Sequence, residues 1–219
     1  AAARFPHEAI GALRAARLLG ASVSRELGGE GLTLEQLAAT TAIIAAECAS
    51  TGMIFAMHHS QVVSLCRHLR ANPALAELAR RIVDDQLLIA SATTEVTTGG
   101  DVRSSSCFLD RRGDQVYLAK TAPVISYGED ADAIFVTARA TGESPPDDQV
   151  LLVARRDQCV LTPVGGWDTL GLRGTHSLGY QLTAIVDAEA VLAGDFRTIL
   201  AQSMGPVCHV LWAAAWLGI

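Results

Sequence analysis

LLIASATTEVTTGGDV, Leu87 to Val102, is the stretch where the chain changes its habit. Ahead of it, apolar residues recur at the spacing of helices. From Leu87 onward they alternate with polar ones, the mark of half-buried strands. The stretch is also crowded with hydroxyls: Ser91, Thr93, Thr94, Thr97 and Thr98 surround one carboxylate, Glu95, and two glycines precede Asp101. A plain loop does not need so many β-branched hydroxyls. Together with backbone N–H groups they suit a polar ring edge and a pyrophosphate.

Working outward toward the N-terminus, Ala9 to Leu19 reads as a helix. RELGGEGLT, Arg25 to Thr33, is a glycine loop. Thr33 with Gln36 forms a capping-box pattern, with Glu35 in the first turn, and a stripe from Leu34 to Cys48 follows. ASTGM, Ala49 to Met53, is expected to break that helix. A second helix is expected from about Met53 to Leu69, and ANP, Ala71 to Pro73, ends it. A third runs from about Ala74 to Asp84.

Toward the C-terminus, seven strands are expected: Leu87–Thr93, Ser105–Asp110, Gln115–Ala119, Ala133–Ala140, Val150–Arg155, Val160–Val164 and Tyr180–Val186. Turn-rich segments such as RRGD and GGWD separate them. Short strands at this spacing predict an antiparallel barrel or sandwich. After Ala188 helix returns, so the fold class is α+β. The expected organisation is a helical domain over 1–88, a β domain over 89–194, and over 195–219 the first helix of a bundle. The last apolar run, VCHVLWAAAWLGI, is shorter than the ~20 residues that cross a bilayer. Its all-round apolar character leads us to expect further helices over it, roughly 150–180 residues of bundle by ordinary domain size.

Half of the 219 residues are apolar and 18% are charged, which supplies a sizeable core and argues against disorder. The net charge of −6 without a basic block argues against a nucleic-acid or anionic-membrane surface. Cys48, Cys66, Cys107, Cys159 and Cys208 share no metal spacing, and we expect reduced thiols in a cytoplasmic protein. GGEG at 28–31 and TTGGD at 97–101 match neither the dinucleotide-binding nor the P-loop fingerprint. MHHS places His58 and His59 on two helix faces, one expected exposed and the other half-buried. No HExxH pattern is present, so no metal is expected. Both histidines line a cleft in this reading or act in acid–base chemistry, and His176 in RGTHSLGY is a third candidate. His209, in the terminal apolar helix, is expected to be structural. Glu95, Asp101, Glu129, Asp130 and Asp132 are the candidate carboxylates; the GEDAD cluster reads as a solvated turn.

Four segments in order resemble the acyl-CoA dehydrogenases and their flavin-monooxygenase relatives. RELGGEGLTLEQLA is similar to the family's P-E-x-x-G-G-x-G loop and helix. SATTEVTTGGDV is similar to T-E-P-x-x-G-S-D. VYLAKTAPVISYGEDADAIFVTAR resembles Y-x-L-N-G-x-K-x-W-I-T-N and the strand after it. GWDTLGLRGTHSLGYQLTAIVDAEAVL resembles the L-G-x-R-x-T segment and the strand that follows. The resemblance implies a flavin, FAD, between the β domain and the bundle. It places Thr93 and Thr94 at the pyrimidine side of the ring, Gly99 and Gly100 at the pyrophosphate, and Ile125 and Ser126 at the central ring.

The departures are specific. Gly100 replaces the family's Ser, Val96 its Pro and Val124 its Trp, and N-G-x-K reads Ala119 to Ala122. The family's catalytic Glu has no counterpart from Asp195 to Ile219, where Cys208 and His209 stand instead, so the catalytic residue is left open. The activity implied first is oxidation of an acyl thioester, on CoA or a carrier protein, with an electron-transfer flavoprotein as acceptor. A flavin-dependent monooxygenase fed by a flavin reductase is the second, and a non-catalytic subunit that completes a homologue's site is the third. A homo-oligomer, dimer or tetramer, goes with either enzyme.

Overall fold

The computed structural model describes residues 3–219. Helix α1 spans His7–Ala15 and α2 spans Leu34–Glu47. The capping box forms as read: the Thr33 hydroxyl accepts from the Gln36 N–H, and the Gln36 side chain accepts from the Thr33 N–H at 2.9 Å. Helix α3 spans Ala49–His68 and α4 spans Pro73–Asp84. Asn72 caps α4 by accepting from the N–H groups of Ala74 and Leu75, and Pro73 takes the first helical position, where its missing N–H costs nothing.

The expected break at ASTGM is narrower than the composition suggests. Only Cys48, with extended φ of −152°, separates α2 from α3. Gly52 lies inside α3 because the helices cross there. A Cβ on it would stand 2.6 Å from the Ala45 Cβ. Its role is close approach, not interruption. Helix α3 is the buried axis of the helical region, with Ile54, Phe55, Val62 and Leu65 fully covered. The hydroxyls of Ser60 and Ser64 donate back to the carbonyls of Ala56 and Ser60, whereas Thr51 Oγ1 and Gln61 Oε1 of the same helix are buried without a partner.

Seven strands follow: β1 Ile89–Ala92, β2 Asp110–Arg112, β3 Gln115–Ile125, β4 Ala133–Arg139, β5 Gln149–Arg155, β6 Cys159–Pro163 and β7 Leu178–Asp187. They form two open sheets, ordered β1-β4-β5 and β2-β3-β7-β6, not a closed barrel. All pairs are antiparallel except β1 with β4, which run parallel with Ile89 opposite Ala133. The strand expected at Ser105–Asp110 is displaced to Asp110–Arg112. The N–H groups of Ser106 and Cys107 donate to the Glu95 carboxylate and are not free for a ladder. Strand β3 runs further than read, to Ile125, and its pairing with β7 slips between Ala122 and Ile125, at Pro123, which has no N–H to give.

Helix returns at α5, Phe196–Ile199, passes through a π turn at Leu200–Met204 and continues as α6, Gly205–Gly218. The Gly205 N–H reaches back five residues to the Leu200 carbonyl, just ahead of Pro206, whose ring cannot sit in a regular ladder. Helix α6 packs on α2 and α3. It buries Val207, Leu211, Ala214 and Ala215, and exposes Val210, Trp212, Trp216 and Leu217 on its other side. Among the described residues, no helix is long and apolar enough to cross a membrane.

Candidate functional site

Strand β1 delivers its chain into the hydroxyl-rich loop, and Glu95 holds that loop. The Glu95 carboxylate accepts from the hydroxyls of Ser105 and Ser106 and from the N–H groups of Ser106 and Cys107. The Lys120 ammonium, on β3, stands 3.1 Å away and also donates to the Thr137 carbonyl at 2.7 Å and hydroxyl at 2.9 Å. Both ions are buried. Burial raises the Glu95 pKa. The serine hydroxyls, the ammonium and the Ser106 N–H outweigh it and hold the group down at about 2. Burial likewise pulls the Lys120 pKa down, against the pull of Glu95.

Lys120 was missed in the sequence reading, although two signals mark it. It is the single lysine of the chain. It also falls on the inward side of an alternating strand, in register with the buried Val116, Leu118 and Ala122. A charge at such a position demands a buried partner.

With Glu95 fixed, its neighbour Thr94 is half-buried, and the Thr94 hydroxyl oxygen is buried without any hydrogen-bond partner. Thr93 is half-buried beside it. Gly99 and Gly100 are exposed, with φ of +59° and +90°, and a Cβ on either would meet open space. At φ of +90° the serine of the family motif is unfavourable, which accounts for glycine at position 100.

At the end of β3, Ile125 is fully buried in the core, so its side chain is removed from any surface. Ser126, next in sequence, is half-buried, and Val124 is exposed. The Ser126 hydroxyl lies 2.8 Å from the Ser177 hydroxyl, which lies 2.7 Å from that of Thr175; Thr175 donates to the Leu172 carbonyl at 2.8 Å. Backbone strain gathers around this chain of hydroxyls. Tyr127, Leu172 and His176 have φ of +43°, +54° and +49° without being glycine. The Tyr127 N–H donates to the Thr175 carbonyl and its phenol to the Ile89 carbonyl, and these bonds hold the strained turn.

The histidine expectation needs correction. Neither His58 nor His59 is exposed; both are fully buried, because the turn between α1 and α2 lies over α3. His58 Nε2–H donates to the Leu19 carbonyl and Nδ1 accepts from the Ile89 N–H. His59 Nε2–H donates to the Leu18 carbonyl, and Nδ1 lies 2.8 Å from the Ser22 hydroxyl. Each ring is neutral, with both nitrogens used. Burial drives the His58 pKa down to about 4 and that of His59 well below the usual value. They join the helical region to β1. His176 is half-buried on the strained turn. His209 Nδ1 bonds the Gly205 carbonyl of its own helix. Burial raises the Cys208 thiol's pKa.

Of the remaining carboxylates, Asp101 binds Arg103, Asp130 is 3.7 Å from His7, and Asp132 joins Arg14 to the Leu88 N–H. Glu129 is exposed. A cleft of about 830 Å³ lies along Tyr117, Val160 and Ile185, and neither Thr94 nor Ser126 lines it.

Helices, then two open sheets, then a long helix make up the acyl-CoA dehydrogenase-like fold. Residues 1–71 match the family model described as acyl-CoA dehydrogenase, N-terminal domain. No curated protein matches the chain. Among solved structures it is similar to KijD3 in complex with dTDP, at 25% identity and a TM-score of 0.82 over 99% of this chain and 56% of that one. It is similar to FMN-bound TdsC from Paenibacillus sp. A11-2, at 23% and 0.83 over 98% and 55%. It is also similar to the prolyl acyl carrier protein oxidase AnaB, at 16% and 0.82 over 99% and 58%. The chain thus spans little more than half the length of these structures.

Proposed function

We propose that this chain forms one wall of a flavin site in an oxidoreductase. The observation that carries the reading is the Thr94 hydroxyl, buried and without a partner. Such a group costs about 1–3 kcal/mol unless a ligand supplies its bond. A flavin's pyrimidine edge, with both donors and acceptors, is suited to supply it. The donor set agrees: one unpaired hydroxyl at Thr94, the half-buried hydroxyl of Ser126, and two exposed glycines, Gly99 and Gly100, that admit a close approach of phosphate. Solved structures of TdsC and KijD3 hold FMN, which favours FMN over FAD as the first probe.

A bound flavin supplies two-electron chemistry, exchanging hydride with a substrate or giving electrons to oxygen. Thr94 and Ser126 would orient the ring, and the Glu95–Lys120 pair would hold Thr94 in place. Acyl thioester oxidation and an oxygen-using reaction are the two readings. Phe196–Gly218 contains no carboxylate that could remove a proton from a thioester, so thioester oxidation would draw its base from outside these residues.

The experiment is Thr94→Val, which keeps the shape and removes the hydroxyl. Without ligand the variant should be more stable by about 1 kcal/mol, since an unpaired buried oxygen is gone. Its FMN affinity should fall about tenfold, the worth of one hydrogen bond. Calorimetric titration and denaturant unfolding read the two effects. A variant that is less stable and binds FMN unchanged would remove the basis of the proposal.

A further inference from the structure

Three segments meet where α3 begins, and they enclose a cavity of about 400 Å³. One is the stretch that carries Arg4 and Pro6, ahead of α1. The second is the first turn of α3, with Ser50. The third is the turn from Leu170 to Gly174, between β6 and β7. Gly174 lets them come this close, since a Cβ there would stand 2.9 Å from the Ser50 Cβ and 3.1 Å from the Arg4 carbonyl oxygen. The Leu172 carbonyl accepts from the Thr175 hydroxyl, the Thr175 N–H and the Trp167 indole N–H, so the turn that carries Arg173 is anchored from behind.

The charge of this cavity is unbalanced. Arg4, Glu8 and Arg173 are the ionised side chains on its wall. Both terminal nitrogens of Arg4 donate to the Glu8 carboxylate, which makes that pair neutral. Arg173 is exposed, and among the described residues no carboxylate pairs with it. Helix α3 adds positive potential at the same end. No side chain caps it at Cys48, and the Gly52 N–H is the first to bond back, to the Cys48 carbonyl. The N–H groups ahead of Gly52 are the helix's unsatisfied donors. One buried side chain points to the same missing acceptor. Thr51, in that first turn, is 2% exposed, and its hydroxyl has no partner among the described residues. Helical side chains tilt toward the helix N-terminus, which turns this hydroxyl to the end that the cavity meets.

We propose that this cavity binds an oxyanion, the carboxylate or phosphate group of a small organic molecule. Arg173 supplies the countercharge in a planar fork, the first N–H groups of α3 donate beside it, and the Thr51 hydroxyl, behind Ser50, gains its acceptor. The volume lies within the range of small-molecule sites, about 300–1,000 Å³. Pro6, Leu170 and Leu172 make the rest of the wall apolar, so the anion carries a short apolar body. None of Thr94, Gly99, Gly100 and Ser126 lines this cavity, so the site stands whether or not flavin binds.

The test titrates the protein calorimetrically with butyrate, with butyl phosphate and with neutral butyramide. At least one of the two anions should bind and butyramide should not, and the tighter anion tells carboxylate from phosphate. Arg173→Gln alters a side chain that pairs with nothing in the protein. It should weaken the anion about tenfold, the worth of one charged hydrogen bond, with thermal unfolding unchanged. Glu8→Gln should tighten binding severalfold, because Arg4 then has no carboxylate of its own. Thr51→Val, which removes only the unpartnered hydroxyl, should weaken binding without loss of stability. Affinity unchanged in Arg173→Gln would overturn the proposal. So would butyramide binding as tightly as butyrate, or neither anion binding to the unsubstituted protein.

Discussion

The chain's single lysine is also its most deeply buried cation. Arginine carries the rest of the positive charge, most of it on the surface. Lysine at position 120 fits because a compact ammonium can sit between Glu95 and both oxygens of Thr137, where a planar guanidinium would need more room. Removing it should be costly. In Lys120→Met the Glu95 carboxylate keeps its serine and backbone donors but loses its counter-ion inside the fold. We expect a loss of about 3–5 kcal/mol in denaturant unfolding, as for other broken buried pairs. Adding Glu95→Gln to that variant should recover part of the loss, because the unpaired charge is then gone. Recovery of none would mean that packing of the lysine stem, and not its charge, holds the loop that carries Thr94.

At the scale of elements, Gly52 separates propensity from packing. Glycine inside a helix is about 1 kcal/mol worse than alanine, so Gly52→Ala should stabilise α3 if the helix stood alone. In the fold the added methyl would meet Ala45 at Cβ, Cα and N, at 2.6, 2.7 and 2.9 Å. The backbone contacts cannot yield by a rotamer change, so packing wins. We expect a net loss of about 1–3 kcal/mol, a fall of roughly 2–4 °C in Tm for each kcal/mol at this size. Pairing it with Ala45→Gly should restore only part, since the Cα stays where it is. The same residue shows what a sequence conceals. Periodicity and caps located the helices, and the Thr33 box was legible to the residue. A glycine that interrupts a helix and one that lets two helices touch read alike, and only the crossing of α2 over α3 tells them apart. The strand at Ser105–Asp110 was misplaced for a related reason. Local composition favoured a strand, but Glu95, ten residues earlier, takes the N–H groups that a strand would have used.

The molecule as a whole is expected to be labile to acid, and the histidine pair sets where. Alternation pointed to an antiparallel barrel or sandwich, and the fold holds two open sheets; the hydroxyl stretch pointed to a flavin wall, which the Thr94 experiment tests. The burial of His58 and His59 was not legible, because it depends on the α1–α2 turn folding across α3. Their bonds tie that turn and β1 to one helix, so their protonation bears on the whole fold. A ring whose pKa is lowered by folding, from 6.5 to about 4 for His58, takes up its proton more readily in the unfolded chain. Stability from it is complete above the unfolded value and is lost as pH falls toward the folded one. For His58 alone that amounts to about 2 kcal/mol between about pH 7 and pH 5. His59 acts in the same direction. Glu95, lowered from 4.5 to about 2, has the same sign but works only below its unfolded value, so it deepens the loss at lower pH. Urea midpoints measured across this range should therefore drop first between about pH 6.5 and 5 and again below about pH 4.5. His58→Gln, which removes one titrating ring, should flatten the first drop and leave the second. A midpoint constant from neutral pH down to about pH 5 would mean that the rings titrate alike in both states and are not held neutral by the fold.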